Sequence, residues 1–295
     1  MRGLSRFLQL GQGMTLNREL TSEERTGRLL NGAAAKEATP YYDRIWKEQA
    51  DGQGRDYTER YRVEFIVECL KAIAAKHRGR LDILDLGCGT GWMAPFLSPY
   101  GRVTGVDFSE TGIDYARRHY AEHGRFVVAD HESPTLGLMP TRGFLMDDQF
   151  DVVAASEVIE HTKDHGAFLS LVGDLLRTEG HLILTTPNGN VWADFEVEPA
   201  YKAGLQPIEQ WLTTGELRKA LTQAQFDIHR HLGSPVYGFR LGFSGMLQRR
   251  RIRHAMTLAG LRHIYGRLIR PTAVYQFVWA QRRSHGSHRS VRPPA

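Results

Sequence analysis

Residues Ser156 to His165, SEVIEHTKDH, gather two carboxylates and an imidazole within five positions, directly after an apolar run. Glu157, Glu160 and His161 are spaced i, i+3, i+4, so one turn of helix would carry all three on one face. Two carboxylates and an imidazole can hold Mg2+, with water completing the shell. They can equally form a general base with its orienting partner. They can also be no more than a polar helix start. The residues alone leave these readings open, and their neighbours must decide. His165 and His119 read as surface residues.

The elements around this stretch alternate. LDILDLG (81–87), RVTGVDF (102–108), RFVVAD (125–130), FDVVAAS (150–156) and HLILTTP (181–187) are short apolar runs of strand length. Between them the pattern turns helical: 91–98, then 110–123 behind Ser109 as a cap, then 166–180 ended by Gly180. Upstream, 57–77 spaces Val63, Ile66, Val67, Leu70, Ile73 and Ala74 as one helix face. Thr213 or Thr214 with Glu216 reads as a further helix start. Strands alternating with helices imply an α/β fold, a Rossmann-like parallel sheet wrapped by helices, whose ligands bind beyond the carboxyl ends of the strands. Ser156–His161 falls at that edge.

A second cluster reaches the same edge. Gly87, Gly89 and Gly91 follow the first strand and open a helix, a place where glycine lets a turn tighten and backbone approach a ligand. The spacing is GxGxG rather than the GxGxxG of dinucleotide sites, and the sequence has no phosphate-binding GxxxxGK[ST]. Asp85 precedes the glycines, Asp107 ends the second strand and Asp130 the third. A carboxylate at the second position can accept both hydroxyls of a ribose. The plain alternative is a structural turn with solubilising acids, but it does not explain acids at three consecutive strand ends.

These motifs resemble the class I S-adenosylmethionine-dependent methyltransferases. LDILDLGCGTG is similar to the family's first motif, VTGVDFSETGIDYAR to the second, FVVADHES to the adenine-side segment, FDVVAASEVIEH to the fourth strand and LLRTEGHLILTTPN to the fifth. The resemblance runs from about Tyr41 to Phe226. It implies a seven-stranded, mostly parallel sheet with helices on both faces, its last two strands an antiparallel pair. It implies that Gly87, Cys88, Gly89 and Gly91 line the methionine part of S-adenosylmethionine and that Asp85 holds its ammonium. Asp107 would bind the ribose, Phe108 would lie against the adenine, and Asp130 and His131 would flank the adenine edge. Ser156 would close the methyl-transfer side. The segment 131–149 is longer than the family's usual connection.

The ExxEH spacing also resembles the magnesium-binding residues of ubiquinone-pathway O-methyltransferases, and part of the metal site of small-RNA 2′-O-methyltransferases. In the RNA enzymes a further His is expected downstream, where this chain has Gln206 and Pro207. The implied reaction is in-line transfer of a sulfonium methyl. It demands alignment and exclusion of water, with a base such as His161 where the acceptor is a hydroxyl. Trp192 and Trp211 are candidate walls of the acceptor pocket.

Composition narrows the partners. The chain has 295 residues, 41% of them hydrophobic, enough for a sizeable core. No apolar run reaches the roughly 18 residues of a membrane span, and MRGLSRFLQL lacks the apolar stretch of a secretory signal. Cys69 and Cys88 have no ligand-like spacing, so a reducing compartment is expected. The net charge is +5, yet the 68 residues after Asp227 contain thirteen Arg and no acid, which leaves −8 on residues 1–227. Seven of those Arg fall in 243–270, interleaved with Leu258, Leu261, Tyr265 and Leu268 at helical spacing. That suits a helix on an anionic membrane surface, or simply a helix packed on the sheet. The expected organisation is a loose leader (1–40), a methyltransferase domain (41–283) with 243–270 as a basic insertion, and a disordered tail (284–295). The expected protein is cytoplasmic, peripheral at a membrane, and methylates a small-molecule or lipid-linked acceptor at oxygen. The alternative is an RNA methyltransferase using the Arg-rich region as a phosphate footprint.

Overall fold

The apolar runs become strands of one sheet. In the computed structural model, residues 59–130, 139–140, 149–192, 210–234 and 273–284 are described, together with residues 264, 267, 268 and 270. The strands are β1 (Leu81–Leu86), β2 (Gly101–Asp107), β3 (Arg125–Asp130), β4 (Met139–Pro140), β5 (Phe150–Ser156), β6 (Leu176–Pro187), β7 (Phe226–Gly233) and β8 (Tyr275–Arg282). Their order is β4-β3-β2-β1-β5-β6-β8-β7. β1, β2, β3, β5 and β6 pair in parallel, and β8 runs antiparallel between β6 and β7. The seven long strands follow the expected arrangement. The two-residue β4, antiparallel to β3, adds an eighth inside the segment 131–149.

Alternation along the strands sorts side chains into two apolar layers. Leu84, Leu86, Val153, Ala155, Leu182 and Leu184 face α4 (His165–Leu175) and α6 (Thr214–Gln223), between which the chain forms the short α5 (Gly189–Trp192). Leu81, Ile83, Val152 and Ile183 face α1 (Glu59–Ala74), α2 (Ala94–Leu97) and α3 (Glu110–His119). A sheet covered on both faces explains why β1, β5 and β6 read as continuous apolar runs. α1 buries Phe65, Ile66, Cys69, Leu70 and Ile73, so its buried stripe is rotated from the expected one, with Val63 and Val67 at the margin. Cys69 and Cys88 are buried free thiols.

The helix expected over 166–180 ends at Leu175. Leu176 is extended and pairs with Phe150, and the Arg177 guanidinium is held by Asp82 and Asp151, each at 2.8 Å. Packing and ion pairing of these two residues override the helical pattern, and Gly180 lies inside β6 instead of capping a helix. The helix expected over 91–98 shrinks to α2, because the glycine turns before it consume its first residues. Two helix starts behave as their sequences require. Ser109 Oγ accepts from the Gly112 N–H at 3.1 Å, and Thr213 forms a reciprocal capping box with Glu216. No described helix is long and apolar enough to cross a membrane.

The leader 1–40 and the tail from 285 onward lie outside the described residues, as does nearly all of 243–270. Within that insertion Ile264 and Leu268 are exposed, at 51% and 54%.

Candidate active site

Parallel pairing places the ends of β1, β2 and β5 side by side. Asp85 sits between Gly105 of β2 and Ala154 of β5. The chain then leaves β1 through Gly87, Gly89 and Gly91, with φ of 74°, 52° and 74°. Glycine takes this left-handed backbone without the clash a Cβ brings. Space demands it as well. A Cβ on Gly87 would stand 2.6 Å from Val158 Cγ2, and one on Gly91 would stand 2.7 Å from Ala116 Cβ.

The loop is tied to the second strand. The N–H groups of Gly87 and Cys88 donate to Val106 O at 2.8 and 3.0 Å. The Gly89 N–H donates to Asp107 Oδ2 at 2.8 Å, and the Ser109 N–H to Asp107 Oδ1 at 2.9 Å. Asp107 is buried at 4% exposure and fixes the loop and the start of α3 at once. Its place at the end of β2 is the one that the family resemblance implies for the ribose carboxylate. Phe108 beside it is partly buried against the core.

Asp85 differs. It is 2% exposed, and its Oδ2 has no hydrogen-bond partner. Burial, and then the charge of Asp107, push its carboxyl up to about 7. A buried carboxylate without a partner is costly, and a cationic group beside Oδ2 would offset that cost. The Cys88 side chain packs into the core, and burial, then Asp85 and Asp107, raise its thiol well above the ordinary range. Asp130 ends β3 as expected; its side chain and the whole of His131 lie outside the described residues.

The stretch 156–161 is not the regular helix its spacing suggests. Glu157 has φ 58°, a left-handed conformation that costs a non-glycine residue of order 1–3 kcal/mol. Only Ile159–His161 closes into a 3-10 turn. The two carboxylates are then drawn apart by consecutive residues of β6. Thr185 Oγ1 donates to Glu157 Oε1, and Thr186 Oγ1 donates to Glu160 Oε2, both at 2.9 Å. Neighbouring strand residues project to opposite faces. Glu157 therefore stays on the α1 face, 3.9 Å from Arg62 Nη1, and Glu160 is buried on the α4 face at 1% exposure. His161 Nε2 lies 3.7 Å from Glu160 Oε1. The expected Mg2+ set of Glu157, Glu160 and His161 is thus corrected: the three do not converge, and no cluster of metal-ligating side chains occurs among the described residues.

Ser156 Oγ lies 2.9 Å from Thr185 Oγ1, which links it to Glu157. Arg62, Thr185, Thr186 and Asn188 are site-edge residues that sequence reasoning missed. The last three belong to TTPN, a polar run closing an apolar strand yet almost wholly buried, and that contrast was their signal. His165 is half-buried rather than a surface residue, and burial lowers its pKa. His119 is exposed and stacks on Tyr115. Trp211 is half-buried, and the Trp192 side chain lies outside the described residues.

The methyltransferase domain family matches residues 57–264, most of the chain. The chain belongs to this family, the class I S-adenosylmethionine-dependent methyltransferases. This methyltransferase is similar to the ubiquinone biosynthesis O-methyltransferase of Rhodopseudomonas palustris (strain BisA53), 33% identical over 153 residues, covering 52% of this chain and 56% of that protein. The protein of the same name from Bradyrhizobium sp. (strain ORS 278) is 35% identical over 136 residues, with 46% and 49% covered. The chain spans about half the length of the curated relatives it matches. Among solved structures it resembles the plantazolicin methyltransferase BpumL in complex with SAH, with TM-score 0.55, 16% identity, and 89% of this chain and 99% of that chain covered. It also resembles the [4+2]-cyclase SpnF, with TM-score 0.52, 16% identity, and 85% and 96% covered. These two likenesses establish the fold of the methyltransferase and nothing about its reaction.

The residues of this methyltransferase fit the family's cofactor. The orphaned Asp85 oxygen suits its ammonium, the glycine loop offers close backbone approach, and Asp107 stands at the end of β2 bonded to that loop.

Proposed function

We propose that this protein transfers a methyl group from S-adenosylmethionine to a hydroxyl of a small-molecule acceptor. The observation that carries the cofactor half is Asp85, a buried carboxylate whose Oδ2 lacks a partner at the carboxyl edge of the sheet. Support for oxygen as the acceptor atom comes from the named O-methyltransferases that the chain resembles.

Bound S-adenosylmethionine supplies an electrophilic methyl on a sulfonium. The chain supplies the rest. Asp85 and the glycine loop hold the amino-acid end, and Asp107 holds the ribose while fixing Gly89 and Ser109. Val158, which roofs Gly87, helps exclude water. His161 takes the acceptor's hydroxyl proton on an imidazole nitrogen. Glu160, held by Thr186, complements the charge that the ring then carries.

The test uses the full chain with S-adenosylmethionine and a panel of paired hydroxyl and amine acceptors, following S-adenosylhomocysteine formation. His161→Gln should lower kcat by about 100-fold, in the range general-base removal gives, with cofactor affinity unchanged. Undiminished turnover in that variant removes His161 from the reaction, and transfer to nitrogen alone overturns the acceptor class.

A further inference from the structure

The opposite edge of the sheet carries a second cavity, of about 650 Å3, lined by Lys76, Arg177, His181, His229, Arg230 and Trp279 among others. His181 lies four residues before Thr185 in β6, on the order of 13 Å along the strand at about 3.3 Å per residue. It pairs with Val152 near the start of β5, whereas Thr185 pairs with Ser156 at its end. The cavity is therefore separate from the cofactor edge.

Two irregularities of the sheet open onto it. Between Phe150 and Val152 the pairing with β6 jumps from Leu176 to His181, which loops out residues 177–180. Between Ile228 and Arg230 the register of β7 slips, leaving His229 as the extra residue. A bulge re-aims side chains that regular alternation would separate. Here it brings His229 and Arg230, consecutive in sequence, to the same indole. The ring centroids of His229 and Trp279 are 5.1 Å apart, and the Arg230 guanidinium carbon lies 5.2 Å from the Trp279 centroid.

The wall is held in place. Glu68 anchors Arg230 at 2.8 Å, and Asp151 and Asp82 anchor Arg177. A guanidinium has five N–H donors, so both keep donors beyond these bonds. The Trp279 Nε1–H donates to His181 Nδ1 at 3.2 Å, and indole nitrogen cannot accept, so the neutral ring carries its proton on Nε2. The Gln281 amide donates to Glu179 O, which turns its oxygen to accept from His229 Nε2 at 3.0 Å. Lys76 is exposed and forms no ion pair among the described residues. The carboxylate of Asp151 is engaged by Arg177 and by the Asp82 N–H at 2.8 Å, and Glu179 is exposed. The two guanidiniums are each ion-paired, and Lys76 adds a further positive charge to the lining, which also holds the exposed Glu179. Burial first, and then His229 and Lys76, lower the His181 pKa, against Asp151.

We propose that this cavity is a second ligand site that takes a small phosphate monoester. Its donors come from the end of α1, the looped-out part of β6 and the bulge of β7. Donors that line one cavity from three separate elements suit the several oxygens of a phosphate. The volume exceeds that of a phosphate group, and Ile73, Ala72 and Trp279 wall the remainder.

The experiment is calorimetry on the full chain in a phosphate-free buffer at low salt, with glucose 6-phosphate, inorganic phosphate, succinate and glucose as probes. Saturable binding of glucose 6-phosphate is expected, with inorganic phosphate weaker and glucose silent. Lys76→Gln should weaken it about tenfold and Lys76→Glu further, while S-adenosylhomocysteine binds as before and does not compete. Lys76 is exposed, and retained S-adenosylhomocysteine binding verifies the fold of each variant. Absence of saturable binding overturns the site, as does competition by S-adenosylhomocysteine or unchanged affinity in both variants. Succinate binding as tightly as glucose 6-phosphate overturns the phosphate class.

Discussion

The two edges of the sheet treat their carboxylates in opposite ways. At the amino edge, Asp82 meets Arg102 and Arg177, and Asp151 meets Arg177 and lies 3.8 Å from His77. Arg102, hydrogen-bonded to Asp82, leads the groups that hold that carboxyl below the usual range. At the carboxyl edge, Asp85 lies in the same strand as Asp82, three residues on, with Oδ2 unpartnered and its carboxyl pushed up to about 7. One strand thus carries both a satisfied acid and an unsatisfied one. The satisfied acid ties strands together. The unsatisfied acid costs the apo protein stability where it is ionised, a cost that protonation or a bound cation offsets.

The sharpest way to break this contrast is Asp85→Asn. It should weaken S-adenosylmethionine binding by about 100-fold, consistent with losing a charge-assisted contact of roughly 3 kcal/mol, while raising the melting temperature of the apo protein. The sign follows from linkage. A folded pKa of about 7, against an ordinary 3.8, means the native state holds a proton that the unfolded chain releases. Its contribution to stability is full below the unfolded value and is lost as pH rises through about 7. His231 and His181, lowered to about 4, act in the reverse sense: their contribution is full above 6.5 and is lost as pH falls through about 4. The parent's net curve therefore mixes both, and the difference between parent and Asp85→Asn isolates the carboxylate. That difference should widen from pH 4 to 7 in thermal melts. A flat difference would mean the carboxylate is solvated.

Arg177→Ala tests the satisfied edge. It strips a partner from both Asp82 and Asp151 and should destabilise the fold by about 1–2 kcal/mol in urea titration, a modest value because Arg177 is partly exposed. Cofactor affinity should not change, and a loss there would show that the two edges are coupled. Thr213→Ala removes the capping-box hydroxyl of α6 and should cost about 1 kcal/mol. The smallest expected effect is that of a chelator. Because Thr185 and Thr186 draw Glu157 and Glu160 to opposite faces, turnover should persist in EDTA, and activity lost there and restored by magnesium would refute this geometry.

Much of the cofactor edge was legible without coordinates. Glycines at 87, 89 and 91, and acids closing successive strands, are local features: each follows from a strand ending where a turn must tighten. The unpaired state of Asp85 was not legible. It depends on which side chains of β2, β5 and the glycine loop surround it, and each comes from a distant part of the chain.

The spacing of Glu157, Glu160 and His161 shows the division most clearly. Sequence determined that these groups stand at the carboxyl end of β5, because an apolar run of strand length ends there. It also determined the alternation of strands and helices and the helix caps at Ser109 and Thr213, which rest on near-neighbour pattern, whereas the antiparallel final pair was implied by the family resemblance alone. Only the tertiary structure decided where the three side chains point. The left-handed Glu157 interrupts the helical periodicity, and two adjacent threonines from the next strand hold the two acids on opposite faces. The cavity at the amino edge is likewise tertiary. It arises from two register shifts, and register is set by how the strands pack against their neighbours, not by the strands themselves.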